Sequence, residues 1–419
     1  MNFDLSEFNG KDVVFVGVGK GRASSGIEQF LVQHANLKSF SGVDKRTGDH
    51  PLDFLREYDA ATTVFIKNEA IPGSEMPVPY TTALQLFFRL SHDNHRTTIG
   101  ITGTKGKSTT ASLTAAILEH ADKQVVLAGN IGTSPLPALS AATPDTIFVL
   151  ELSSYQLSEL SLSPHISACI NLYNDHTDWH GSLESYWEAK HNIMRFAGPD
   201  DVFIYNPDFA VMQQWAAAGA CRSIAINPSE TIDLSGAQLF GEHNVLNALV
   251  AREIARQFAV ADETSLEAIR AFTPLRHRMQ TVATKQTRTY IDDAIGMTPE
   301  STIASIKAIG STIGPIGCLL LGGQDRDYDF TELMHVVAEH DVPYLVLFPE
   351  TVAKMRAALP DGYHPEVYET QSMDDAVQYA AAHAPEHSVV LLSTAAPSYL
   401  LWKDFEDKGD QFRAAVAAL

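Results

Sequence analysis

Gly100-Ile-Thr-Gly-Thr-Lys-Gly-Lys-Ser-Thr-Thr110 follows the β-rich run Thr98–Ile101 and leads into an alanine- and leucine-rich helical pattern. A strand end, a glycine turn and a helix start, in that order, aim backbone N–H groups and a helix N-terminus at a polyphosphate. In such a turn Lys107 sits against the outer phosphates and the Ser108 hydroxyl holds a magnesium ion. The longer phosphate-loop pattern has a glycine five residues before Gly106, where this chain has Ile101. The loop is therefore the shorter form, Gly103-Thr104-Lys105-Gly106-Lys107-Ser108-Thr109.

Outward from this loop, short β-rich runs alternate with helical patterns, which predicts α/β architecture with parallel sheets. Val13–Val16, a run ending near Val43, and Thr63–Ile66 predict a small Rossmann-like unit at residues 1–91. The polar stretch Ser91–Arg96 reads as a linker. A central P-loop domain, residues 92–280, has strand candidates Thr98–Ile101, Gln124–Ala128, Thr146–Leu152, His165–Leu172 and Asp201–Tyr205, with a helix over Val211–Ala220. A second Rossmann-like segment, 281–419, has strands at Tyr290-Ile291, Cys318–Leu321, Tyr344–Phe348 and Val389–Leu392. There Gly322-Gly323 marks a sharp turn, and Trp402–Leu419 closes the chain as a helix. Three domains fit 419 residues of which 45% are hydrophobic.

The net charge of −21 disfavours nucleic acid and anionic membrane as partners, since both are polyanions. A nucleotide can still bind, because a local phosphate loop outweighs distant charge screened over about 8–10 Å. Cys169, Cys221 and Cys318 have no paired spacing, which fits a reducing cytoplasm and neither a disulfide frame nor a zinc site. The N-terminus lacks an apolar signal core, and no apolar run reaches the roughly 18 residues that span a bilayer. A cytoplasmic protein without a membrane partner is expected.

Further polar residues lie where ligands meet open α/β sheets, beyond the carboxyl ends of strands. Glu151, in Val149-Leu-Glu-Leu-Ser-Ser-Tyr155, can hold magnesium there; alternatively it is a solvated strand-end glutamate. Asn174-Asp175-His176-Thr177-Asp178-Trp179-His180 could ligate a metal or do acid–base work, or be a polar loop. Lys190 lies in a helical pattern and reads by default as a surface lysine. His243, Asn244 and Asn247, in Gly241-Glu-His-Asn-Val-Leu-Asn-Ala248, could contact adenine and ribose or cap a helix. Arg276-His277-Arg278 could reach phosphate or be solvated linker charge. Nothing intrinsic marks Ser398 or Phe405.

In combination these motifs resemble the Mur ligase family, the ATP-dependent amide-forming enzymes of peptidoglycan assembly. The short phosphate loop, Leu-Glu-Leu-Ser-Ser-Tyr-Gln, Asn-Asp-His, Gly-Glu-His-Asn-x-x-Asn-Ala and Arg-His-Arg occur in the family's order, across roughly residues 13–410. The likeness is strongest to the branch that adds glutamate to UDP-N-acetylmuramoyl-L-alanine. It implies ATP and two magnesium ions. Lys107 and Ser108 would hold phosphate and metal, and Glu151 and His176 would ligate metal. Lys190 would be carbamylated, as N6-carboxylysine, to hold the second ion. Gly103 to Thr109, Asn247, Arg278 and Asp293 would contact ATP. Gly17, Gly19, Asp44, Asn130 and His176 would contact the UDP-sugar, and Arg326, Ser398 and Phe405 the glutamate. A monomer is expected. The chain departs from the family at Asn68-Glu-Ala-Ile71, at Lys105, and at Asp293-Ala-Ile-Gly-Met297, where Ile295 removes a lysine and Met297 a hydroxyl. The last departure bears on chirality: D-glutamate is the default and an L-glutamate-adding ligase the alternative, with a folylpolyglutamate synthetase-like ligase or an inactive nucleotide-binding scaffold less favoured.

Overall fold

In a computed structural model the described residues are 3–17, 23–45, 51–239, 241–397 and 399–419. Gly19 and Ser398 lie outside them. The chain divides into two compact units. One comprises Met1–Asp233 and Leu246–Ile269, the other Leu234–Val245 and Arg270–Leu419.

The first unit holds two sheets. Strands β1 (Asp12–Val16), β2 (Ser39–Val43), β3 (Thr63–Lys67) and β4 (Thr81–Thr82) form a parallel sheet in the order β2-β1-β3-β4. Strands β5 (Thr97–Thr102), β6 (Val125–Gly129), β7 (Ile147–Glu151), β8 (Ile166–Cys169), β9 (Val202–Tyr205) and β10 (Arg222–Ala225) form another, in the order β10-β9-β8-β5-β7-β6. All its pairings are parallel. The chain leaves β5 for one side and returns for the other, so β5 and β8 flank a topological switch point. Strands β5 and β7 are buried almost throughout, as sheets covered on both faces require.

The second unit holds β11 (Gln280–Lys285), β12 (Arg288–Asp292), β13 (Ile316–Gly323), β14 (Tyr344–Glu350), β15 (Glu366–Glu369) and β16 (Val389–Leu392), in the order β11-β12-β16-β13-β14-β15. Only the β11–β12 pairing is antiparallel.

One expectation changes and two gain detail. Ser91–Arg96 is no linker: Ser91 to Asp93 end the helix Ala83–Asp93, and both Ser91 and Arg96 are buried. Gly322 and Gly323 are the last two residues of β13, as expected, with positive φ at both and a register shift between them. A Cβ at Gly322 would stand 2.4 Å from the Phe348 carbonyl, so the two strands approach there as only glycine allows. The segment around Tyr290-Ile291 is a hairpin, β11 and β12, turning at Gln286 and Thr287 with positive φ. Among the described residues no helix is long and apolar enough to cross a membrane.

Candidate active site

The phosphate loop joins β5 to the helix Lys107–His120, whose first residue follows Gly106 at φ +84°. A Cβ on Gly106 would lie 2.3 Å from Asn247 Oδ1. Asn247 is buried and accepts from Thr110 Oγ1 at 3.1 Å, so it backs the loop and the first helical turn. Its neighbour Asn244 is also buried, whereas His243 is exposed. Ser108 is nearly buried in the first turn, with Thr109 half-buried beside it.

Asn171, two residues past β8, grips the loop from the other side. Its Oδ1 accepts from Lys105 N at 2.9 Å, its Nδ2 donates to Lys105 O at 3.1 Å, and its own carbonyl accepts from Thr104 N at 3.0 Å. Only the backbone of Lys105 is held, and its side chain is exposed. The loop therefore tolerates lysine there. Thr104 Oγ1 accepts from Tyr186 Oη at 3.1 Å and from Tyr173 N at 2.9 Å.

Two ammonium groups converge on one carbonyl. Lys107 Nζ donates to Gly103 O and to Thr104 O, each at 3.0 Å. Lys190 Nζ donates to the same Gly103 O at 2.8 Å and to Thr102 Oγ1 at 3.3 Å. Lys190, on the helix Leu183–Arg195, is 1% exposed, which overturns its reading as a surface lysine. Burial, with Lys107 close by, pushes its pKa down to about 7.

Glu151 ends β7 and is buried. Asn130 Nδ2 donates to its Oε1 at 3.0 Å, while Oε2 has no hydrogen-bond partner. Gly129, at φ +101°, lets this strand end approach: a Cβ there would lie 2.3 Å from the Glu151 carbonyl. A buried carboxylate oxygen without a donor is costly unless a cation supplies the partner. The described residues contain no cluster of three or more His, Cys, Asp or Glu fit for a metal. One or two protein oxygens, completed by phosphate and water, suit magnesium.

The short helix Ser154–Ser158 starts at a capping box of Ser153 and Gln156. That start presents Tyr155, whose Oη lies 3.0 Å from His176 Nδ1. His176 has φ +49° and heads the turn Thr177–His180. Burial lowers its pKa, and that of His180 to about 4, so both rings are neutral at neutral pH.

In the first sheet Gly17 and Asn68 follow β1 and β3, and Asp44 follows β2. A Cβ on Gly17, at φ +91°, would meet Ile71 Cδ1 at 2.8 Å and Asn68 Cβ at 3.0 Å. Gly17 N donates to Val43 O at 2.8 Å. Asp44 is exposed and accepts from Lys45 N at 2.9 Å.

In the second unit Asp293 is buried, accepting from Ser305 Oγ and Ser393 Oγ at 2.7 Å each and from Met279 N at 3.2 Å. Burial raises its pKa to about 6 against those bonds. Arg276-His277-Arg278 is not a solvated run. His277 is buried, its Nδ1 lies 2.7 Å from Asp292 Oδ2, Arg278 is half-buried, and Arg276 pairs with Asp410. Arg326 is exposed, with its guanidinium 6.0 Å from the Tyr399 ring. Its loop meets the next one through Gln324 N donating to Pro397 O at 2.9 Å. Phe405 opens the helix Phe405–Ala418, its ring 6.2 Å from that of His277.

Sequence reasoning missed Lys408 on that helix. It is fully buried, its Nζ donates to Thr394 Oγ1, and burial pushes its pKa down to about 7. An unfolded lysine keeps its proton to about pH 10.4. Between those values the unfolded chain binds more protons, so stability rises with pH. Lys408→Met is expected to flatten this rise, by up to about 1.4 kcal/mol per pH unit. Urea midpoints measured across that window test this; an unchanged slope would refute it.

Residues 101–229 match the Mur ligase middle domain, and residues 277–396 the Mur ligase glutamate ligase domain. The UDP-N-acetylmuramoylalanine–D-glutamate ligase of Bacillus cereus strain G9842 is 30% identical over 459 aligned residues, covering 99% of each chain. That of Bacillus cytotoxicus is 31% identical over the same coverage. Among solved structures, the UDP-N-acetylmuramate–alanine ligase MurC of Thermotoga maritima superimposes with a TM-score of 0.64 at 18% identity, over 97% of this chain and 99% of that one. The MurF ligase of Thermotoga maritima in complex with ADP gives 0.62 at 15% identity, over 99% and 97%.

Proposed function

Because the chain belongs to the Mur ligase family, we propose that it is an ATP-dependent amide ligase that joins D-glutamate to UDP-N-acetylmuramoyl-L-alanine in peptidoglycan precursor synthesis. The observation that carries this reading is the convergence of Lys107 and Lys190 on the Gly103 carbonyl of a short phosphate loop. Full-length likeness to curated D-glutamate ligases supports the choice of amino acid.

The substrate's alanine carboxylate attacks the γ-phosphate of ATP, giving an acyl phosphate and ADP. The glutamate amine then attacks the acyl carbon, and phosphate leaves. Both anions of the first step must approach each other. Lys107 and the loop N–H groups offset their repulsion. Ser108, Glu151 and His176 are the residues that would hold magnesium, which when bound neutralises phosphate charge. Lys190, kept near half-neutral at pH 7 by burial, can react with carbon dioxide to give a carbamate that would hold a second ion. Asn130 keeps Glu151 Oε1 occupied and Oε2 available. Gly17, Gly19 and Asp44 would take the UDP end of the substrate. Asn247, Arg278 and Asp293 would serve ATP, and Arg326, Ser398 and Phe405 the glutamate. The assignment corresponds to domains of 1–91, 92–280 and 281–419 acting in a monomer.

Phosphate release with ATP, magnesium and UDP-N-acetylmuramoyl-L-alanine, in parallel with D- and L-glutamate, tests the proposal. Turnover with D-glutamate is expected. Turnover with L-glutamate alone would reassign the amino acid and tie the change to the half-buried Ile295 and Met297, which stand where the family has a lysine and a hydroxyl. No turnover with either would refute the ligase reading.

A further inference from the structure

We propose that Tyr155 is a positioning residue that holds His176 with its ring proton on Nδ1, leaving the Nε2 lone pair as the ligand. The hydroxyl is what carries this. Tyr155 packs through its ring, against His180 at 5.7 Å between centroids and 9° between planes, and against Trp179 at 4.7 Å. Phenylalanine would make those contacts equally well. The added oxygen has one described partner, His176 Nδ1 at 3.0 Å.

The surroundings of that nitrogen choose the tautomer. Asp175 Oδ1 lies 3.7 Å from Nδ1 and already accepts from the His176 backbone N at 3.0 Å. An ionised carboxylate can only accept, whereas a phenol oxygen can accept as well as donate. Two oxygens facing Nδ1, one of them anionic, favour a proton there, donated to Tyr155 Oη. The other nitrogen then keeps its lone pair, the arrangement by which outer partners orient metal-ligating imidazoles. The backbone adds to the need for such a hold, because His176 stands at φ +49°, where a non-glycine residue is strained. The neighbouring turn is itself anchored: Trp179 Nε1 donates to Ala70 O at 3.3 Å, tying it to the loop after β3.

The ligand role of His176 rests on the proposed function, whereas its tautomer does not. NMR of protein with nitrogen-labelled histidine rings reads the tautomer, with His176→Ala supplying the assignment. The proton is expected on Nδ1 in the natural protein and on Nε2 to a substantial extent in Tyr155→Phe. Manganese affinity in the presence of ADP, read by electron paramagnetic resonance, is expected to fall roughly tenfold or more in Tyr155→Phe. A ring that carries its proton on Nε2 in the natural protein overturns the inference. So does a Tyr155→Phe protein that matches the natural one in both readouts. If His176→Ala instead binds manganese as tightly as the natural protein, the ligand role fails while the tautomer result stands.

Discussion

Lys107→Ala is expected to lower kcat by roughly 10³-fold, at the upper end of what one transition-state donor contributes, with the folded structure retained. The reaction brings a carboxylate against a polyphosphate, and the charge to be stabilised grows at the γ-phosphoryl oxygens. Phosphoryl transfer leaves the protein little covalent work, so positioning and electrostatics supply most of the acceleration. Lys107 is the half-buried ammonium tethered to its own loop, through Gly103 O and Thr104 O at 3.0 Å each. Those two bonds keep it beside the helix N-terminus, where phosphate is drawn in any case. A 10³-fold loss corresponds to about 4 kcal/mol of barrier. Giving up the two bonds also costs stability, about 1.5–3 kcal/mol for each bond from a charged donor, but Asn171 still holds the loop through Lys105 and Thr104. Single-turnover phosphate release and a thermal melt separate the two effects. Retained turnover would mean that the phosphate site lies elsewhere.

The positions of the Gly103–Thr109 loop and of Glu151 in the fold were legible because they are set locally. A glycine turn between a strand and a helix, and a carboxylate at the end of an apolar run, need no tertiary information to be placed. Lys190 and Lys408 were not legible, since a lysine in an amphipathic helix has the same pattern whether it faces water or the sheet. Their burial is decided by what the helix packs against: Thr102 and Gly103 for Lys190, Thr394 and Trp402 for Lys408. The same holds for His277, whose partner Asp292 lies on β12. The edge strands β10 and β15 escaped notice for another reason. At four residues each, with Arg222 at one end of the first and glutamates at both ends of the second, they carry the charges that protect sheet edges and hide the apolar signal. Ser91–Arg96 misled in the opposite sense, as polar composition there accompanies a buried helix end.

Lys190→Ala is expected to reduce turnover at least about 10²-fold, and the natural protein to carry a carbamate at this lysine. Only the neutral amine reacts with carbon dioxide, and an ordinary lysine near pH 7 is almost wholly protonated. At Lys190 burial has moved the balance, with the Lys107 ammonium pushing the same way, so that the pKa stands at about 7. The sign follows directly. Below about pH 7 the amine is protonated and the carbamate is disfavoured; above it the neutral form is available. The change is also electrostatically downhill, because a carbamate turns one of two crowded cations into an anion beside Lys107. The Gly103 carbonyl and Thr102 Oγ1 now accept from the ammonium at 2.8 and 3.3 Å. Modification replaces those bonds with oxygens able to hold a cation near the phosphate loop. Carbon NMR of the enzyme in labelled bicarbonate reads the carbamate directly, and its intensity should rise with pH through about 7. A carbamate signal that persists unchanged in Lys190→Ala would locate the modification at another lysine. Absence of any signal from an active natural protein would leave Lys190 as an amine, its depressed pKa then serving to spare the site a second fixed positive charge.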